Sequence, residues 1–143
     1  MSSSDLQTVK QSLLDAGFEI YRTQPSEIQV AERVRLHIMD SGIRIRLGES
    51  FDVVFTARSQ KSDFPSVGAD ELFDKVRGTI GHAAQERGYR EEGSQTVEVK
   101  DPMDDAKVLD TWHEVTYAKS ADDVEGVVDE VRWALGVDKY VSP

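Results

Sequence analysis

Four arginines and a histidine are the residues best placed to do chemistry in this chain. Arg33, Arg35, His37, Arg44 and Arg46 share one parity of three alternating stretches, residues 28–39, 43–47 and 51–58. Val34, Leu36, Ile38, Ile43, Ile45, Leu47, Phe51, Val53 and Phe55 hold the other. Side chains alternate across a strand, so the pattern predicts a half-buried antiparallel meander with one basic, wet face. A guanidinium offers a planar fork of donors that matches carboxylate and phosphate. Three readings of that face follow. Arginine stems can cover the sheet while their heads pair with cross-strand acids. The face can meet an acidic surface, either the chain's own second half or that of a second copy. It can also hold phosphate or nucleic acid, but binders of that kind set aromatic platforms beside their cations, and this parity has none.

Other reactive constellations are sparse. Asp101, Asp104 and Asp105 form an acidic loop of the sort a hard cation could use. Their spacing lacks the glycine and the closing glutamate of an EF-hand, so turn formation accounts for them. His37, His82 and His113 fall on different predicted elements, and no two have the i, i+4 spacing of a helical metal site. There is no phosphate loop or nucleophile elbow, and zero cysteine removes thiol catalysis, disulfides and thiolate metal sites. No catalytic, cofactor-binding or metal site is assigned. Two residues break pattern. Glu32 sits on the apolar parity between Val30 and Val34, which marks a bulge or an edge-protecting charge. Trp133 lies almost opposite the apolar stripe of its predicted helix, either as an interface anchor or as a ring packed on the tail at Val137, Tyr140 and Val141.

The elements that must position these residues are marked by punctuation. A first helix is predicted over residues 5–16, with Ser4 and Gln7 as a capping box, Leu6, Val9, Leu13 and Leu14 as its stripe, and Gly17-Phe18 as its stop. A second spans 69–87 and ends at Gly88-Tyr89. A third spans 121–135, capped by Ser120, with Val124, Val127, Val128, Val131 and Leu135 facing inward and acids in its first turn. Residues 19–22 form a short strand, and the meander turns at Asp40-Ser41-Gly42 and near Gly48-Glu49-Ser50. Two further strands, 96–100 and 108–118, flank the acidic loop. The expected fold is one α+β domain over residues 1–143. Its antiparallel sheet carries helices packed on one face, in the order α-β-β-β-α-β-β-α, with room for a fourth strand in the first run.

Composition bounds the rest. The chain has 143 residues, 38% hydrophobic, and a formal net charge of -10. Residues 1–63 hold eight Lys/Arg and nine Asp/Glu, whereas residues 64–143 hold nine and eighteen, so the acidity belongs to the second half. That field disfavours general binding to nucleic acid. No apolar run is long enough to span a membrane, and the opening residues do not read as a signal peptide, so a cytoplasmic place is expected.

This small, acidic, cysteine-free chain, with its amphipathic first helix, three-stranded meander, helix, two strands and last helix, resembles the class I type III secretion chaperones and the related YbjN-like proteins. The resemblance covers nearly the whole chain as architecture and matches no motif, so it carries over no functional residue. It implies a homodimer that binds a partner polypeptide without catalysis or cofactor. The expected partner-binding residues are Arg33, Arg35, Arg44, Arg46 and Trp133. The alternatives are a ligand-binding or enzymatic pocket between sheet and second helix, fed by His113, Tyr117 and Glu32, and nucleic-acid binding through the arginine face.

Overall fold

The computed structural model describes residues 3–143, with side chains from Asp5 onward. Its elements run α1 (Ser3–Asp15), β1 (Glu19–Gln24), β2 (Glu27–Val34), β3 (His37–Leu47), β4 (Phe51–Gln60), α2 (Ala69–Gly78), α3 (Ile80–Glu86), β5 (Arg90–Asp101), β6 (Asp104–Ala121) and α4 (Val124–Leu135). The protein is α+β, with six strands in one open antiparallel sheet of order β1-β2-β3-β4-β6-β5. The expected order of elements holds. The first run does contain a fourth strand, and the second helix comes in two pieces. Contacts group the chain into two compact units: residues up to Phe55 with Ala118–Val137, and Thr56–Tyr117 with Asp138–Pro143.

In the first unit, alternation sets the core directly. Antiparallel register places Val30, Ile43 and Phe55 in one row across β2, β3 and β4, and Ile28, Ile45 and Val53 in the next. All six are fully buried. Each such side chain contributes about 1.5–3 kcal/mol on leaving water. Helix α1 packs against α4, β1 and β2, and α4 also meets β3. Leu6, Val9 and Leu13 give α1 its buried stripe. Its stop is the expected one: the Phe18 N–H donates to Leu13 O at 3.0 Å, with Gly17 at φ +92°. The Ser4 capping box lies outside the described side chains.

The first long strand is not one strand. The chain reverses at Arg35-Leu36, where Val34 stands opposite His37, and residues 40–42 lie inside β3. The turn chemistry at Asp40-Ser41-Gly42 is real but makes a bulge. Val30 pairs with Ile43 and Ala31 with Asp40, leaving Ser41 and Gly42 as extra residues. Asp40 Oδ1 accepts the Gly42 N–H at 2.9 Å, Ser41 Oγ donates to Val30 O and accepts the Ile43 N–H, and Gly42 takes φ +80°. Glu32 lies two residues past this register shift and is half-buried. Beyond the bulge the alternation no longer faces a core. Val34, Leu36 and Ile38, expected inside, are exposed.

The last helix also differs from its pattern. Strand β6 runs on to Ala121, and Asp123 caps α4 by accepting the Gly126 N–H at 2.8 Å. Ser120, expected as the cap, instead donates to Asp52 at 2.6 Å. The buried face is Val127, Glu130, Val131 and Ala134, rotated from the all-valine stripe. Lys119, on the core side of β6, explains the rotation: it meets Glu130 at 2.8 Å and neutralises a carboxylate that would otherwise be costly to bury.

In the second unit the predicted helix over 69–87 breaks at Thr79 (φ −112°, ψ −86°), whose hydroxyl donates to Lys75 O. The break lies just before Gly81, where a Cβ would overlap the hydroxyl of fully buried Tyr117. Buried Ser59 ties β4 to α2 by donating to Leu72 O at 2.9 Å. The tail adds a short parallel bridge to β4 at Tyr140–Arg58. Strands β5 and β6 extend into an arm whose turn, Pro102-Met103, is tighter than the expected loop. Asp101 and Asp104 fold that arm's end by accepting the Met103 and Ala106 N–H groups.

Candidate binding surface

The arginine parity of β3 does form a polar face, and Arg44 and Arg46 on it each have an acidic neighbour, as Arg33 on β2 does. Arg46 stands in register between Glu27 on β2 and Asp52 on β4, and its guanidinium reaches Asp52 at 3.5 Å. Arg44 reaches diagonally to Glu27 at 3.3 Å. Arg33 crosses to Glu19 on β1 at 2.5 Å. These pairs are partly solvated, so each contributes at most about 1 kcal/mol. Their effect is to orient the forks and cancel their charge. This is the first of the three readings of the face: arginine stems on the sheet and heads on cross-strand acids.

Two hollows open on this face. The larger, about 350 Å³, lies where the β1–β2 and β3–β4 turns meet, and Ser26, Glu27, Arg46, Glu49, Ser50 and Asp52 line it. The smaller, about 40 Å³, is lined by Gln29, Asp40, Gly42, Ile43 and Arg44. The larger has three carboxylates against one guanidinium, so it does not favour an anion.

Arg35 stands apart from the other three. It occupies the two-residue turn of the β2–β3 arm with φ +58°, a conformation in which a side chain other than glycine is strained. It makes no ion pair among the described residues. Leu36 beside it is 91% exposed, and Val34, Ile38 and Met39 are about half exposed. The structure thus separates the predicted site residues. Arg44 and Arg46 belong to a neutralised sheet face, and Arg33 and Arg35 belong to an apolar arm.

Trp133 is half-buried, with its ring edge on Phe55 (centroids 6.0 Å, planes at 65°). Inside the first unit its ring therefore packs on a core aromatic. Glu130, on the same helix, faces the core.

The residues of the expected pocket divide. His113 and Tyr117 lie on one buried face of β6 in the second unit, while Glu32 is on β2 in the first. His113 meets Phe73 edge-on at 5.1 Å, and its Nδ1 is buried without a hydrogen-bond partner. Burial, and then the charge of Lys61, holds its pKa below the ordinary imidazole value. Burial, helped by Glu91, pushes the Tyr117 hydroxyl up to about 12 despite Arg77. The Glu91 hydrogen bond in turn raises Arg77, which it holds in a fork at 2.8 and 3.2 Å. A phenol held protonated and a histidine held neutral are buried groups here.

One cluster is only partly signalled in the sequence. Asp110 accepts four bonds, from Ser62 N–H and Oγ, the Thr111 N–H and Trp112 Nε1, at 2.8–3.1 Å. Burial raises its pKa, and these donors outweigh burial and hold the carboxyl below its usual range. Arg58 stacks 3.9 Å above the Trp112 ring. The spacing Asp110-x-Trp112 hints at the local bond only; Ser62 is distant in sequence and legible only in the fold.

The class defined so far is an α+β protein with an open antiparallel sheet and two projecting hairpins. No family model, curated protein or solved structure matches this chain. Among the described residues no helix is long and apolar enough to cross a membrane, and no three His, Cys, Asp or Glu residues are grouped to hold a metal ion.

Proposed function

We propose that this chain is a non-enzymatic protein-binding module that self-associates as a homodimer and takes a partner polypeptide, in the manner of a chaperone. The observation that carries the reading is the β2–β3 arm. It holds Val34, Leu36, Ile38 and Met39 out in solvent beside Arg33 and Arg35, in a chain of net charge -10. An apolar patch rimmed by charge has no internal use, and its desolvation rewards a protein partner. The sheet arginines support the reading weakly, because their acids already neutralise them. The same neutralisation, with no aromatic platform beside Arg44 and Arg46, counts against nucleic acid.

Light scattering coupled to size exclusion tests this. The expected mass is that of two chains at micromolar concentration, reduced towards one chain in Leu36→Ser with the circular dichroism spectrum unchanged. A single-chain mass for the native protein at every concentration removes the homodimer.

A further inference from the structure

The described residues contain two β-hairpin arms with complementary ends. The β2–β3 arm ends in Leu36, 91% exposed, next to Arg35, and the β5–β6 arm ends in Met103, 92% exposed, next to Asp104 and Asp105. Among the described residues, no large apolar side chains are more exposed than these two. Each arm carries further exposed apolar residues, Ile38 and Met39 on the first and Val108 and Leu109 on the second. Their charges are opposite. Residues 33–39 hold two arginines and no acid, whereas residues 101–110 hold four aspartates and one lysine. Arg35 and Asp105 make no ion pair among the described residues.

From this complementarity we infer that the β2–β3 arm of one copy docks on the β5–β6 arm of a second copy, apolar tip on apolar tip with Arg35 facing the aspartates. The inference rests on the protein-binding reading and names the partner. Two like tips would bring Arg35 against Arg35 or Asp105 against Asp105, so charge selects the unlike pair. The contact joins two different patches. A symmetric pair of copies therefore makes it twice, and a non-closing assembly makes it once per junction. The turn at Arg35 fits the role: the strained residue is the one that carries the cation to the tip.

The absence of cysteine gives a clean test in the 143-residue chain. Leu36→Cys and Met103→Cys are made separately, mixed, and oxidised mildly. The expected product is a disulfide between the two different variants, formed faster than any link within either variant alone. In parallel, sedimentation follows Arg35→Asp and Asp105→Arg; aspartate and glycine both tolerate positive φ, so Arg35→Gly serves as the unstrained control. Each single charge change is expected to weaken self-association about 10-fold, equivalent to about 1.4 kcal/mol, and the double change to restore it. A native dimer that is indifferent to these changes and cross-links only like to like overturns the arm-to-arm contact and leaves the homodimer standing. A native monomer overturns both. A monomer that instead binds a poly-glutamate peptide or phosphatidylserine vesicles, and loses that binding in Arg35→Asp, assigns the arm to a foreign partner and overturns the second copy.

Discussion

His113 has a pH dependence written into its surroundings. Its ring is 4% exposed, packed on Phe73, with Nδ1 unpartnered and Lys61 nearby to oppose a positive charge. In the unfolded chain the imidazole titrates near its ordinary value, about 6.5, whereas in the fold it binds its proton only at lower pH. Between those values the unfolded state holds more protons, so stability falls as pH falls. The contribution is complete above about pH 6.5 and is lost on descending towards the folded value. Urea midpoints measured from pH 7.5 to 5 should decline, and His113→Leu should flatten that decline. An unchanged slope in the variant would assign the acid sensitivity elsewhere. Arg35 shows a different residue-scale lesson. Its type and exposure were readable in the chain, but its role depends on a two-residue turn with none of the glycine or asparagine that signals such turns.

At the scale of elements, what the sequence revealed depended on whether burial was set locally. The Gly17 and Gly88 helix stops and the 43–47 and 51–55 strands were legible because hydrogen bonding and alternation act between near neighbours. The arm was not, because residues 34–38 keep their alternation with no core opposite them. The face of α4 was not, because a lysine on β6 makes Glu130 an inward residue, and no periodicity within the helix records that. The neutral sheet face was partly legible: Asp52 and Glu27 were visible acids, but register decides that they flank Arg46. Helix α4 gives the element's prediction. Trp133 packs on Phe55, and truncation there opens a void beside a buried ring. Trp133→Ala should lower stability by about 2 kcal/mol in urea unfolding, below the cost of a fully buried tryptophan because the ring is half-exposed. A change within experimental error, with partner binding lost instead, would restore it as a surface anchor.

For the whole molecule, charge is the dominant global term. Twenty-seven acids face seventeen cations, and most of the excess lies in residues 64–143. Self-repulsion opposes the compact state, and salt shortens its reach to about 10 Å at 0.1 M. The melting temperature should therefore rise between low salt and 0.5 M, even though the arginine pairs on the sheet are weakened. A fall on adding salt would mean that those pairs outweigh the net repulsion. Neither unit is one run of chain: the divisions fall within β4 after Phe55, within β6 after Tyr117, and after Val137. Helix α1 and the strands that follow it are made first, yet the α4 that packs against them is not translated until residue 124. The surface of α1 and β3 that α4 will cover therefore stays open while β5 and β6 are synthesised. For a protein of this connectivity, the interval before α4 is made is when aggregation competes with folding.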